Sequence, residues 1–152
     1  MTDFGRLLAA LASHDVRYII VGGFAATAHG SAFLTVDLDV VYERAPANIG
    51  RLVAALEPLS PYLRGAPPGL PFRLDADTVA RGLNFTLRTS AGDLDLLGEA
   101  TGGGTYEALL SHTELREVLG QTCRFVDLET LIRLKRAAGR PKATSSLVRH
   151  RA

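Results

Sequence analysis

The sequence predicts an α+β (mixed α/β) fold, a mixed β-sheet flanked by helices, and three observations carry that prediction. Apolar runs of strand length occupy residues 16–21 and 36–42. Stretches with a helical apolar period lie on either side, marked by Phe4, Leu7, Leu8 and Leu11 in one and by Ile49, Leu52, Val53 and Leu56 in another. Two further strand-like segments, 84–89 and 93–97, are joined by Ser90-Ala91-Gly92, a hairpin-like turn. With 152 residues, the chain has the size of one domain and can bury roughly two thirds of the surface its unfolded form exposes. One domain over residues 1–142 is expected, followed by a basic, flexible tail at 143–152.

Taken in order, an opening helix is expected over about residues 2–14, with Thr2 or Asp3 as its cap. The strand 16–21 ends at Gly22-Gly23, and an Ala-rich helix over 24–29 closes at Gly30. Pro46 suits the first turn of the helix that follows the 36–42 strand, because its missing N–H is not needed there. Residues 58–71 hold five of the seven prolines and two glycines, which predicts a surface loop. Asp75 or Asp77 is expected to cap a short helix rather than to bind metal. Gly102-Gly103-Gly104 breaks the chain before a helix around 106–111, and 121–126 forms the last strand. Asp127 caps the final helix, 128–138, which Gly139 and Pro141 stop.

Composition narrows the class. Apolar residues make up 47% and charged residues 22%, as in ordinary globular domains. No apolar run approaches the length of a membrane span, and Met1-Thr2-Asp3-Phe4 lacks the layout of a secretion signal, so a cytoplasmic protein is expected. Cys123 is the single cysteine, which excludes an internal disulfide and assigns it to packing in a strand. The net charge of +1 hides an asymmetry: after Glu129 no acidic residue occurs, while Arg133, Lys135, Arg136, Arg140, Lys142, Arg149 and Arg151 do. Such a patch attracts phosphate, on a nucleotide or on RNA.

The stretch Thr35-Val36-Asp37-Leu38-Asp39-Val40-Val41 sets two carboxylates two residues apart in an apolar run. A strand sends such residues to one face, about 7 Å apart, where both can reach one cation or a pair of cations. Without a cation, their repulsion and lost solvation cost several kcal/mol. A Gly-Gly turn at the entrance of a helix lets backbone N–H groups approach phosphate oxygens, and 93–97 brings further carboxylates, Asp93 and Asp95.

In the order of these parts, the chain resembles the DNA polymerase β-like nucleotidyltransferase superfamily. Val21-Gly22-Gly23-Phe24-Ala25-Ala26, Thr35-Val36-Asp37-Leu38-Asp39, Leu94-Asp95-Leu96-Leu97-Gly98 and the segment 131–142 are similar to small toxin-type or AbiEii-like bacterial nucleotidyltransferases. The resemblance implies a minimal nucleotidyltransferase fold over 1–142. It implies that Asp37, Asp39 and Asp95 are the catalytic, metal-holding carboxylates, with Asp95 preferred over Asp93 because it matches the family's Leu-Asp-Leu-Leu core. It further implies that Gly22, Gly23 and Lys135 meet the nucleotide. The implied cofactor is Mg2+ or Mn2+, and the implied substrate is an NTP.

The expected activity is transfer of an NMP to a hydroxyl acceptor, an RNA such as tRNA or a protein, with an antitoxin as a further partner and a homodimer compatible with the apolar helix stripes. Two alternatives share the fold: a nucleotide- or partner-binding module without catalysis, and an aminoglycoside-type small-molecule transferase. The non-catalytic alternative draws on Phe33, which stands where relatives carry a basic residue, and on the departure from the family pattern beyond Lys142. His29 is expected as a helix-end residue rather than a base.

Overall fold

A computed structural model of the chain describes residues 1–32 and 35–139; Phe33, Arg140, Pro141, Lys142 and the expected tail lie outside the described residues. Helix α1 (Phe4–Ser13) begins at Asp3, whose side chain accepts a hydrogen bond from Arg6 N, and buries Leu7, Leu8 and Leu11. Strand β1 (Tyr18–Val21) leads into helix α2 (Gly22–Ala28), so the two glycines open the helix rather than precede it. Strand β2 (Asp37–Tyr42) is followed by helix α3 (Pro46–Leu56), with Pro46 in its first turn. A two-residue strand, β3 (Tyr62–Leu63), interrupts the region expected to be loop. Asp75 caps helix α4 (Ala76–Arg81), its carboxylate accepting from Thr78 N at 2.8 Å.

Strands β4 (Asn84–Thr89) and β5 (Gly92–Leu97) form the expected hairpin. Helix α5 (Tyr106–Leu109) continues as a 3-10 turn to His112. Strand β6 (Thr113–Val118), which sequence reading missed, then pairs antiparallel with β7 (Gln121–Val126). Asp127 caps α6 (Leu128–Ala137) by accepting from Thr130 N at 2.8 Å.

The seven strands make one mixed sheet in the order β3-β4-β5-β2-β1-β7-β6. The parallel pairs are β1 with β7 and β2 with β5; the others are antiparallel. The β2–β5 register sets Asp37 opposite Asp93 and Asp39 opposite Asp95. All four carboxylates therefore leave the same face of the sheet, while Leu38, Val40, Leu94 and Leu96 fill the core on the other face with no exposed surface. Phe4 of α1, Phe24 of α2 and Phe125 of β7 stack in series, tying the first two helices to the sheet. Cys123 is buried in β7 and meets the Tyr18 hydroxyl at 3.6 Å. No helix among the described residues is long and apolar enough to cross a membrane.

Asn48, in the first turn of α3, is fully buried. Its Oδ1 accepts from Arg17 N at 2.7 Å, and its Nδ2 donates to Arg17 O at 3.0 Å and to Glu43 O at 2.8 Å. One side chain thus joins the chain entering β1 to the chain leaving β2. Asn48→Ala is expected to cost about 2–3 kcal/mol, because three backbone groups lose their partner at once. A urea denaturation curve checks this: the midpoint should fall with the slope unchanged.

Candidate metal centre

Three carboxylates, those of Asp37, Asp39 and Asp95, each present an oxygen such that all three lie within 4.8 Å of one another. The two strands deliver them by register alone, since β2 and β5 run parallel in direct contact. Thr35 supports the entry to β2, its hydroxyl donating to Asp37 O at 3.1 Å and to Asp37 Oδ1 at 3.3 Å. Thr2 braces both strands: its hydroxyl donates to Val36 O and accepts from Asp93 N at 3.1 Å. A residue expected only as a possible helix cap is therefore a strut between the segments that carry Asp37 and Asp93.

Asp39 is the least comfortable member. Burial is the largest influence raising its pKa, followed by the charges of Asp37 and Asp95 and a hydrogen bond to Asp95; the Lys135 ammonium opposes them, and the carboxyl is pushed up to about 7. Its Oδ1 is buried and has no hydrogen-bond partner. A buried carboxylate oxygen left unmatched beside two other carboxylates is a poor arrangement for a protein alone and a suitable one for a hard cation. Oxygen donors of this kind fit Mg2+ or Mn2+. The residues present thus fit a divalent ion, which Asp37, Asp39 and Asp95 would hold.

Gly22 and Gly23 pack against this centre. Gly22 has φ +70°, and a Cβ built on it would overlap Asp39 Oδ2 and lie 2.8 Å from Asp39 Cγ. A Cβ on Gly23 would meet the Thr35 hydroxyl oxygen at 2.7 Å. The close approach that glycine permits here is to the carboxylate strand. Lys135 is half-buried on α6, and its charge acts on Asp39.

Arg64, directly after β3, was not singled out by sequence reading. Its backbone N donates to Thr86 O at 3.0 Å, which extends the β3–β4 pairing and sends the side chain across the sheet. The guanidinium lies 2.7 Å from Asp95 Oδ1, 3.5 Å from Asp93 Oδ2 and 3.8 Å from Asp37 Oδ2. Asp93, the less favoured of the two carboxylates on β5, is thus an Arg64 partner and lies outside the three-carboxylate group. A charge count held the available signal: four carboxylates on one face call for a basic residue nearby, and Arg64 is the lone cation of the loop 58–71.

His29 ends α2, and its Nε2 lies 2.8 Å from Val126 O and 3.6 Å from Glu114 Oε1. Its ring is thus engaged by β6 and β7, in keeping with a structural role.

No protein-family model matches the chain, and no curated protein sequence matches it. Among solved structures, the chain is similar to a Thermotoga maritima protein described provisionally as a nucleotidyltransferase, with a TM-score of 0.61 and 12% identity over 96% of this chain and 88% of that one. The chain shares the fold of that protein, and its own described residues form a mixed seven-stranded sheet with six α-helices.

Proposed function

We propose that this protein is a metal-dependent nucleotidyltransferase that moves a nucleoside monophosphate from an NTP to a hydroxyl acceptor. The observation that carries the reading is the convergence of Asp37, Asp39 and Asp95, with an unmatched Asp39 oxygen, on this fold. The likeness to the Thermotoga maritima protein supports it. Asp37, Asp39 and Asp95 hold Mg2+, for which Mn2+ can substitute. The chemistry supplied by such an ion is neutralisation of phosphate charge and activation of the attacking hydroxyl.

In the reaction, the acceptor oxygen bonds to the α-phosphorus, the bond from that phosphorus to the bridging oxygen breaks, and pyrophosphate departs. The hydroxyl proton passes to the Asp95 carboxylate. Lys135 meets the triphosphate charge, and the backbone N–H groups at Gly22 and Gly23 approach its oxygens. The acceptor is an RNA end such as that of tRNA, a choice supported by the run of basic residues after Glu129. In the same reading the protein is the toxin of a toxin–antitoxin pair, supported by the sequence resemblance alone.

Incubation with α-labelled NTPs, Mg2+ and total RNA tests this. Labelled RNA should accumulate, and a chelator should stop it completely. Label appearing only on protein would replace the acceptor; label that persists in the chelator, or with Asp37→Ala, would remove the metal site from the mechanism.

A further inference from the structure

Strand β6 ends the sheet, and among the described residues β7 is its one neighbouring strand. Asp127 N donates to His112 O at 2.9 Å, so residues 112 and 127 form a hydrogen-bonded pair of this antiparallel ladder. Such pairs recur at every second residue. Glu114, Arg116 and Val118 therefore bond to β7, while Thr113, Leu115 and Glu117 turn their backbone N–H and C=O groups to the open edge. The turn at Leu119-Gly120, with φ of +51° and +82°, agrees, since a two-residue turn of this kind closes on a hydrogen-bonded pair, here Val118 and Gln121.

An open edge is a template for another strand. On this one the charges form a pattern: Glu114 and Arg116 share one face of β6, joined within the chain at 2.7 Å, and Leu115 between them points to the other face, 61% exposed. Leu119 in the turn and Leu110 just before the strand are exposed as well. Laid antiparallel against a second copy with Leu115 facing Leu115, Glu114 falls opposite Arg116 of the other copy, and Arg116 opposite Glu114. Thr113 and Glu117 then stand opposite each other, so the outward backbone groups of all three odd-numbered residues meet partners. The same register carries Leu119 toward Leu110 of the other copy at both ends of the seam. Moving the register by one residue either way sets Glu114 against Glu114 or Arg116 against Arg116, and like charges directly opposite are destabilising.

We propose that β6 is the interface of a homodimer, in which two copies pair antiparallel about Leu115 and join their sheets into one. The twofold axis makes the contact isologous and closed, so it stops at two copies. The seam lies beyond β7 and β1 from the strands that carry Asp37, Asp39 and Asp95, and each copy keeps its own site clear. The pairing needs neither metal nor nucleotide.

Light scattering on the full chain, combined with cysteine cross-linking, tests the idea. The wild type should show twice the 16.2 kDa chain mass. Leu115→Pro should halve that mass while staying folded by circular dichroism, because the lost N–H faces away from β7. Leu115→Cys should form a cross-linked dimer under mild oxidation, since a hydrogen-bonded pair sets Cα atoms about 5.5 Å apart, within reach of a disulfide. Glu117→Cys should not, its counterpart lying roughly 13 Å along the strand. A wild type that stays at 16.2 kDa up to its solubility limit would overturn the proposal and leave the edge to a strand from another protein. So would a folded Leu115→Pro that remains dimeric, or a Leu115→Cys that cross-links no better than Glu117→Cys. If Leu115→Pro does not fold, the wild-type mass and the cysteine pair decide.

Discussion

Asp39→Asn is expected to abolish nucleotidyl transfer and, in the same molecule, to raise the stability of the metal-free protein at neutral and alkaline pH. The first half follows from the proposed function: an amide at this position removes a metal-holding charge, and a rate loss of ~10^3-fold or more is expected. The second half follows from burial. The Asp39 carboxyl is pushed from 3.8 up to about 7 by its surroundings in the folded chain. Below the ordinary carboxylate range both folded and unfolded chains hold the proton, and the folded chain is not penalised. As pH rises, the unfolded chain releases its proton first, so stability declines across the window from about 4 to about 7 and levels off above it.

Asparagine has no proton to lose and escapes this decline. The gain above neutrality should be on the order of 2 kcal/mol, a melting temperature higher by roughly 5 °C, and should vanish near the acidic end of the window. Thermal melts of both proteins in chelator across the pH range check the claim. Parallel melting curves at all pH values would show that Asp39 carries no strain. Added Mg2+ should narrow the gap by stabilising the wild type alone.

Gly22→Ala has the second large effect, and in the opposite direction. The new methyl group would occupy the space of the Asp39 carboxylate at a residue with φ +70°, where an L side chain is strained. Backbone strain of ~1–2 kcal/mol and overpacking of ~1–3 kcal/mol should together lower stability by about 3 kcal/mol. Gly50→Ala supplies the contrast. Gly50 lies within α3 with open space around its Cβ position, so alanine there should be neutral or should stabilise by about 0.5–1 kcal/mol. Combining Gly22→Ala with Asp39→Ala removes the overlap with the carboxylate but keeps Asp39 Cβ 2.9 Å away, so it should return part of the overpacking portion and leave the backbone portion. Strictly additive losses in that double-mutant cycle would mean that the two residues do not press on each other.

The legible parts of the chain were those written in local pattern. The apolar spacing of Leu7, Leu8 and Leu11 predicted α1, Pro46 marked the start of α3, and Asp127 marked the start of α6. The hairpin of β4 and β5 was visible from its turn, but the parallel pairing of β5 with β2 was not among the expectations, because no local pattern marks a contact between strands so far apart in the chain. Strand β6 escaped because Thr-Glu-Leu-Arg-Glu-Val has the charged composition of an edge strand, where paired neighbours exist on one side only and Leu115 stays 61% exposed. Strand β3 escaped because two residues have no period; backbone bonds to β4 make it a strand. Arg64 and Thr2 act over long separations, through ion pairs and hydrogen bonds that only the assembled sheet defines.

The parallel pairing of β2 with β5 has a consequence for the order in which the molecule is built. Asp37 and Asp39 leave the ribosome together, but Asp95 joins them only after a long intervening segment has been synthesised and closed into a loop, a slow event compared with helix formation. A nascent or truncated chain that ends before β5 carries the first two acids without the third, and without the strand that aligns them. Assembly of the three-carboxylate group thus waits on near-completion of the sheet.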